Sequence, residues 1–492
     1  MNPFKERYFW WLRVAVLVSV LFTMVVGVAS VTLPIRPFWL DEWFIIWNLK
    51  NKDIHQLFGP LDLMQQFPRV YLVLFKWFSS SFGYSYWSLR LPSLLASLAA
   101  LALSYRIAQR LFTNGASGGL FVLVIISSFT YAEYMVQAKQ YSVDILMGVL
   151  VIWQLNALWR QLNGRLSFRY YLLLVLSFTV APFFSYTYPI VVAPVYLLVA
   201  IGSIAGLQKG YRLRQVLPVG LALLAGAISL SVFYVLDLRQ LMADKSMYSF
   251  WSFLLFDREH SITSFCRGFY SVFSQSGSGD LFIHVFGVTG LVAFGYGMYI
   301  LVHRYKALLS DRFAMLSAYA CLLVVIAMCC FIAGKLPLGT SRLNSFALPS
   351  VAILIINLVD GLARNYRRMW YVWLSVLYVG LCGNIFTQPI NCFTNPEYQQ
   401  QLAIYNNVQS GIRQAQQMHI PIAVSRSVAF PYEANAQTSG LPNPEVWILT
   451  TFPAYTMALH VPVYPISSLA ILPPGTHKVM VIDGDKRAIL NR

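Results

Sequence analysis

The sequence predicts an all-α polytopic membrane bundle with a small C-terminal α/β extracytoplasmic domain. Three observations lead there. Of 492 residues, 58% are hydrophobic and 11% charged, against roughly 25% charged in an ordinary soluble domain. A soluble core cannot hide that much apolar side chain, because its surface must face water. The apolar residues also come in runs rather than at amphipathic spacing: Val14–Val31, Leu91–Leu103, Gly118–Phe129, Ile145–Leu158, Leu217–Leu236, Leu316–Ala333 and Val351–Val359. With weakly polar flanks, several reach the roughly 20 residues that cross about 30 Å of hydrocarbon as a helix.

The third observation is charge placement. Basic clusters fall at Lys5/Arg7/Arg13, Arg106/Arg110, Arg160/Arg165/Arg169, Lys209/Arg212/Arg214, Arg304/Lys306/Arg312 and Arg364/Arg367/Arg368, with only Glu6, Asp311 and Asp360 among them. The intervening segments hold Asp41, Glu42, Asp53, Asp62, Glu133, Asp144, Asp257 and Glu259. Lys and Arg mark cytoplasmic loops. About eleven spans, N-terminus inside and C-terminus outside, satisfy every cluster. The net charge of +17 is therefore a topology signal. A nucleic-acid surface would need those cations on one continuous face.

In order, the expected spans are 12–33, 91–112, 117–136, 142–159, 170–186, 188–206, 215–236, 281–302, 313–333, 344–361 and 369–387. The first follows basic residues, but its apolar stretch exceeds the roughly 7–15 residues of a signal-peptide core, so it reads as a retained helix. Pro182 and Pro189 interrupt the fifth and sixth, which read as two short helices or a broken re-entrant pair. Residues 1–387 form the membrane domain, with outer loops 34–90 and 237–280, and 388–492 the outer domain. In the latter, Gln399–Gln417 has helical spacing, and Ile420–Val424 and Val479–Ile482 read as strands among Pro and Gly turns.

Motifs of soluble chemistry are absent. The seven histidines form no His-x-x-x-His pair, which leaves a zinc site unsupported. There is no Walker sequence, and Gly277-Ser-Gly279 follows no strand and reads as a turn. The six cysteines show no Cys-x-x-Cys spacing; Cys266 and Cys392 both fall on the outer side, where a disulfide is permitted.

The chemistry concentrates just past the first span. Trp39-Leu40-Asp41-Glu42-Trp43 sets two carboxylates side by side among aromatics. Mutual repulsion and partial burial favour a raised pKa on one of them, and such a carboxylate can take a proton from an acceptor hydroxyl. The plainer reading is a solvated acid pair inside an interfacial aromatic belt.

The pair resembles the first-loop signature of the GT-C glycosyltransferases, the class of protein O-mannosyltransferases and bacterial aminoarabinose transferases. Further landmarks resemble that class in the same order. Gln66-Phe67-Pro68-Arg69-Val70-Tyr71 stands where the family often has His-Pro-Pro-Leu-Tyr or a Phe-Pro variant. Ser88-Leu89-Arg90-Leu91-Pro92-Ser93 opens span two, and Ala138-Lys139-Gln140-Tyr141 opens span four in place of Arg-x-Tyr. Leu338-Gly339-Thr340-Ser341-Arg342, with Pro349 beyond it, is similar to a late Gly-x-Arg stretch. Lys139 for arginine and Gln65/Gln66 for histidine are departures.

The resemblance implies a transferase that moves a sugar from a polyprenyl-phosphate donor to a lipid, glycan or protein acceptor on the outer membrane face, with no nucleic acid involved. It implies Asp41 as catalytic base, with Glu42 positioning the acceptor or the loop. Lys139, Arg342, Arg90 and Tyr141 would serve the donor phosphate, and Gln66 and Arg69 the acceptor or loop. No cofactor is implied with certainty; the resemblance allows a divalent metal, but no ligand cluster here supports one. Two other classes stay open: a secondary transporter, which should show repeat symmetry and mid-bilayer ionisable residues, and a catalytically silent envelope scaffold.

Overall fold

The structure is a computed structural model. It describes every residue except 1–2, 34–37, 39, 63–64, 113–114, 165, 209–212, 244–251, 275–279, 305–310, 339–340, 366, 395, 425–462, 466–474, 484–485 and 492. Trp39, Gly339, Thr340 and the Gly277–Gly279 turn lie outside the described residues, as do the side chains of Trp43, Arg342 and Cys392.

The chain is a multi-pass bundle. In order the helices are α1 (Pro3–Thr32), α2 (Leu40–Asn51), α3 (Arg69–Ser81), α4 (Leu91–Leu111), α5 (Gly115–Ile126), α6 (Phe129–Tyr134), α7 (Tyr141–Leu162), α8 (Phe168–Val180), α9 (Tyr188–Gln208), α10 (Leu213–Phe233) and α11 (Arg239–Ala243). They continue as α12 (Ser261–Phe273), α13 (Asp280–Arg304), α14 (Arg312–Ile332), α15 (Leu348–Asn365), α16 (Arg367–Thr394) and α17 (Pro396–Met418). Among the described residues, eight helices are long and apolar enough to cross a bilayer, fewer than the eleven expected. Gly115–Ile126, Phe168–Phe184 and Tyr188–Ile201 are the shorter apolar stretches.

Two expected boundaries move for identifiable reasons. The third span, expected over 117–136, breaks after Ile126 at Ser127-Ser128. The Ser127 carbonyl, which lies at the break, instead accepts amide protons from Asn384 at 2.6 Å and Gln388 at 2.8 Å. Helix interruptions at membrane depth survive only where neighbours satisfy the backbone in this way. The seventh span does not end at 236. A wide π turn over Tyr234–Leu238 carries the helix into α11, so the first residues of the expected outer loop are helical. The insertion re-aims side chains locally: Tyr234, Val235 and Leu236 are exposed, while Asp237 is buried.

The chain divides into two compact units. The first holds residues 1–28, 67–71 and 93–388; the second holds 29–66, 72–92 and 389–492. In the first, α7 runs through the core with α8, α9, α10 and α15 against it. A 3₁₀ helix of just over two turns, Ser341–Ala347, packs on α6 and α7. The approach needs Gly148, because a Cβ there would sit 2.7 Å from the Phe346 carbonyl oxygen.

In the second unit, α17 covers a four-stranded sheet. Its strands are β1 (Ile422–Val424), β2 (Val463–Pro465), β3 (Lys478–Asp483) and β4 (Lys486–Asn491), in the order β2-β1-β3-β4. β1 is parallel to β2 and β3, and β4 closes an antiparallel hairpin. Ile412, Ala415, Ile422, Ala423, Met480 and Ile482 are buried there. The expected helix and two strands are present; β2 and β4 are additional. α17 stops at His419, whose φ of 52° is the left-handed C-terminal conformation, with the Ile420 N–H returning to the Ala415 carbonyl at 3.0 Å.

Candidate active site

Asp41 and Glu42 fill the first turn of α2, where free N–H groups favour negative charge. The expected loop pair is therefore helical. Glu42 is fully buried, and its Oε2 lies 3.3 Å from Nη2 of an equally buried Arg90. The Arg90 guanidinium packs against the rings of Phe38 and Tyr86, at 4.4 and 4.5 Å from their centroids, and donates to the Tyr86 hydroxyl. Tyr86 in turn donates to the Ser30 carbonyl at 3.3 Å. Asp41, one position earlier, is half-buried.

The far end of α2 is held as firmly. The Leu49 carbonyl accepts from the Lys76 ammonium and, at 3.0 Å, from the Tyr84 hydroxyl. Cations and donors at a helix C-terminus satisfy its last carbonyls. Burial pushes the Lys76 amine down, with Asp53 acting in the opposite sense. Burial also brings Lys50, in the last turn of α2, down to about 8. Asn48 clips the returning chain, exchanging hydrogen bonds with the Asp62 backbone at 2.8 and 3.1 Å.

In the first unit, polar groups gather where α3 begins, α7 begins and α10 ends. Arg69, the first residue of α3, is buried; its N–H donates to Asp237 Oδ2 at 2.7 Å, and its Nε stands 3.7 Å from Oδ1. The Tyr186 hydroxyl lies 2.6 Å from Asp237 Oδ1 and 2.9 Å from the Phe67 carbonyl. Nearby in sequence to Tyr186, Ser185 and Thr187 donate to Asp144 Oδ1 at 2.5 and 3.1 Å. The Tyr71 phenol is pushed up, chiefly by burial, with Ser93 lowering it and Asp144 adding to the rise.

Lys139 is buried in the turn before α7, its carbonyl accepting from Ser93 at 3.0 Å. Tyr141 opens α7 with its ring 4.7 Å from that of Tyr134. The 3₁₀ helix that carries Arg342 packs on α6 and α7, the helices on either side of Lys139. Gln66 is half-buried in the segment before α3.

Sequence reasoning did not assign Asp237 or Tyr186 a role. The available signal was a lone carboxylate directly after the apolar run Leu217–Leu236. Among the described residues, no three His, Cys, Asp or Glu side chains converge as metal ligands would.

No family model and no curated protein matches the chain. Among solved structures, ArnT from Cupriavidus metallidurans in the apo state is similar at 12% identity and a TM-score of 0.49, covering 95% of this chain and 92% of that one. The same protein bound to undecaprenyl phosphate is similar at 12% identity and a TM-score of 0.48, with 96% and 92% covered. At such identity and score, neither likeness bears on chemistry.

Proposed function

We propose that the chain is a membrane glycosyltransferase that moves a sugar from a polyprenyl-phosphate donor to a lipid, glycan or protein hydroxyl on the outer face of the membrane. The observation that carries this reading is the acid pair in the first turn of α2, with Glu42 locked by Arg90 and Asp41 beside it, half-buried. Asp41 is the base: it takes the acceptor's hydroxyl proton as that oxygen attacks the anomeric carbon. The carbon–oxygen bond to the lipid phosphate breaks, its electron pair leaves with the phosphate, and the configuration inverts. Glu42 and Arg90 act as positioning residues.

A leaving phosphate bonded to cations departs readily, so such a site needs positive charge more than a general acid. Lys139 suits this role. It is buried just ahead of the α7 N-terminus, where the helix field favours an anion. Arg342 is the second proposed donor-phosphate ligand, with Tyr141 beside Lys139. Gln66 serves the acceptor side, while Arg69 keeps Asp237 in place.

The test is transfer from a polyprenyl-phosphate sugar in membranes containing Asp41→Asn. Removing the base lowers transfer by roughly 10²–10⁴-fold while expression and donor binding hold. Near-normal transfer would return the acid pair to a helix-start feature. Lys139→Ala weakens donor binding instead, by about 1.5–3 kcal/mol for a lost charge-assisted contact.

A further inference from the structure

The opposite end of α7 carries a different assembly. Arg110 at the end of α4, Arg160 near the end of α7 and Arg312 at the start of α14 line one polar cavity of about 360 Å³ with Asn156 and Tyr170. The three arginines come from three helices, yet they converge. Arg312 donates to the Arg110 carbonyl at 2.9 Å, and Arg110 donates to the Tyr170 hydroxyl at 3.4 Å with its guanidinium 5.6 Å from that ring's centroid. Cations whose only task was to mark the membrane edge would spread around the rim, where mutual repulsion is least.

This polar cavity shares Arg110, Asn156 and Tyr170 with an apolar one of about 570 Å³, which α4, α7 and α8 enclose. Its wall includes Leu146, Met147, Leu150, Leu173 and Leu176, and it follows α8 from Tyr170 to Val180 and then the short 3₁₀ turn Ala181–Phe184. At 1.5 Å per residue in the α-helix and about 2 Å in the 3₁₀ turn that path is roughly 20 Å, enough for the tail of one leaflet in a core about 30 Å thick. No carboxylate lines either cavity among the described residues.

We propose that this groove binds an anionic glycerophospholipid, its phosphate among Arg110, Arg160 and Arg312 and one acyl chain along α8. Guanidinium forks match phosphate oxygens in pairs, and basic pockets between membrane helices on the cytoplasmic side hold anionic head groups. The distribution of Lys and Arg assigns this end of the bundle to the cytoplasm. The head-group end is separate from the proposed transfer chemistry: Tyr141 and Arg160 lie on the same helix about 28 Å apart along its axis.

The test uses the full chain, purified in detergent, stripped of lipid and offered phosphatidylglycerol, phosphatidylcholine or inorganic phosphate, with retention read by native mass spectrometry. The expected result is at least tenfold preference for phosphatidylglycerol over phosphatidylcholine, and at least a tenfold loss in the Arg110→Gln/Arg312→Gln double variant. Leu173→Trp, which fills the groove from a half-exposed position and keeps every cation, reduces retention as well at unchanged melting temperature. Equal retention of phosphatidylcholine, or full retention by the double variant, would overturn the site. Displacement by millimolar inorganic phosphate, or an unaffected Leu173→Trp, would overturn the lipid assignment in favour of a free-phosphate site.

Discussion

Two buried carboxylates, one in each compact unit, face an arginine in different ways. Glu42 lies 3.3 Å from the Arg90 guanidinium, and both side chains are wholly removed from solvent. Asp237 takes its closest hydrogen bonds from the Arg69 backbone N–H and the Tyr186 hydroxyl, at 2.7 and 2.6 Å, and the Arg69 Nε stands off at 3.7 Å. In the first pair the charges hold each other. In the second, the carboxylate is a bracket that ties the start of α3, the turn before α9 and the end of α10 through hydrogen bonds. A carboxylate and a guanidinium thus support an ion lock in one place and a structural staple in the other.

The largest effect is expected at the lock. Glu42→Ala removes the carboxylate that faces a buried guanidinium, at a cost of about 3–5 kcal/mol, seen as a fall in melting temperature or in folded yield. Removing both charges with Glu42→Leu/Arg90→Met costs less than the single change, since well-packed apolar replacements of a buried pair are often near neutral. If the single and double variants melt together, the pair is not an ion lock.

The staple is worth less. Asp237→Asn keeps an acceptor but weakens two hydrogen bonds, for about 1–3 kcal/mol, and Tyr186→Phe removes one neutral donor for about 1 kcal/mol. Thermal unfolding of both variants, set beside Glu42→Ala, ranks the two regions directly. A larger loss for Asp237→Asn than for Glu42→Ala would invert the comparison.

The smallest effect concerns Lys50. Its amine titrates near pH 8 because burial disfavours the ammonium, whereas an unfolded chain holds that proton to about pH 10.4. Between those values the unfolded state binds more protons, so this group's contribution to stability rises with pH from about 8 to about 10.4 and is unfavourable below. Amine acylation followed by peptide mass spectrometry should show Lys50 half-reactive near pH 8. A profile matching ordinary lysines would mean that the end of α2 is more open than its packing indicates.

What the sequence determined is what a bilayer demands locally. Apolar runs announced the helices, and Asp41-Glu42 announced its position after the first span without any partner being known. The polar helix and two strands of the tail were equally legible from spacing. Tertiary structure alone decided the partners. Glu42 meets Arg90 across 48 positions, and Arg69 meets Asp237 across 168. The broken third span survives because Asn384 and Gln388 reach Ser127 across 257 and 261. Hydrophobic length is a property of consecutive residues, so it can be read along the chain. Which buried polar group satisfies which is set by helix packing, where a carboxylate, a guanidinium or an open carbonyl must find its partner inside the fold because neither lipid nor distant water supplies one.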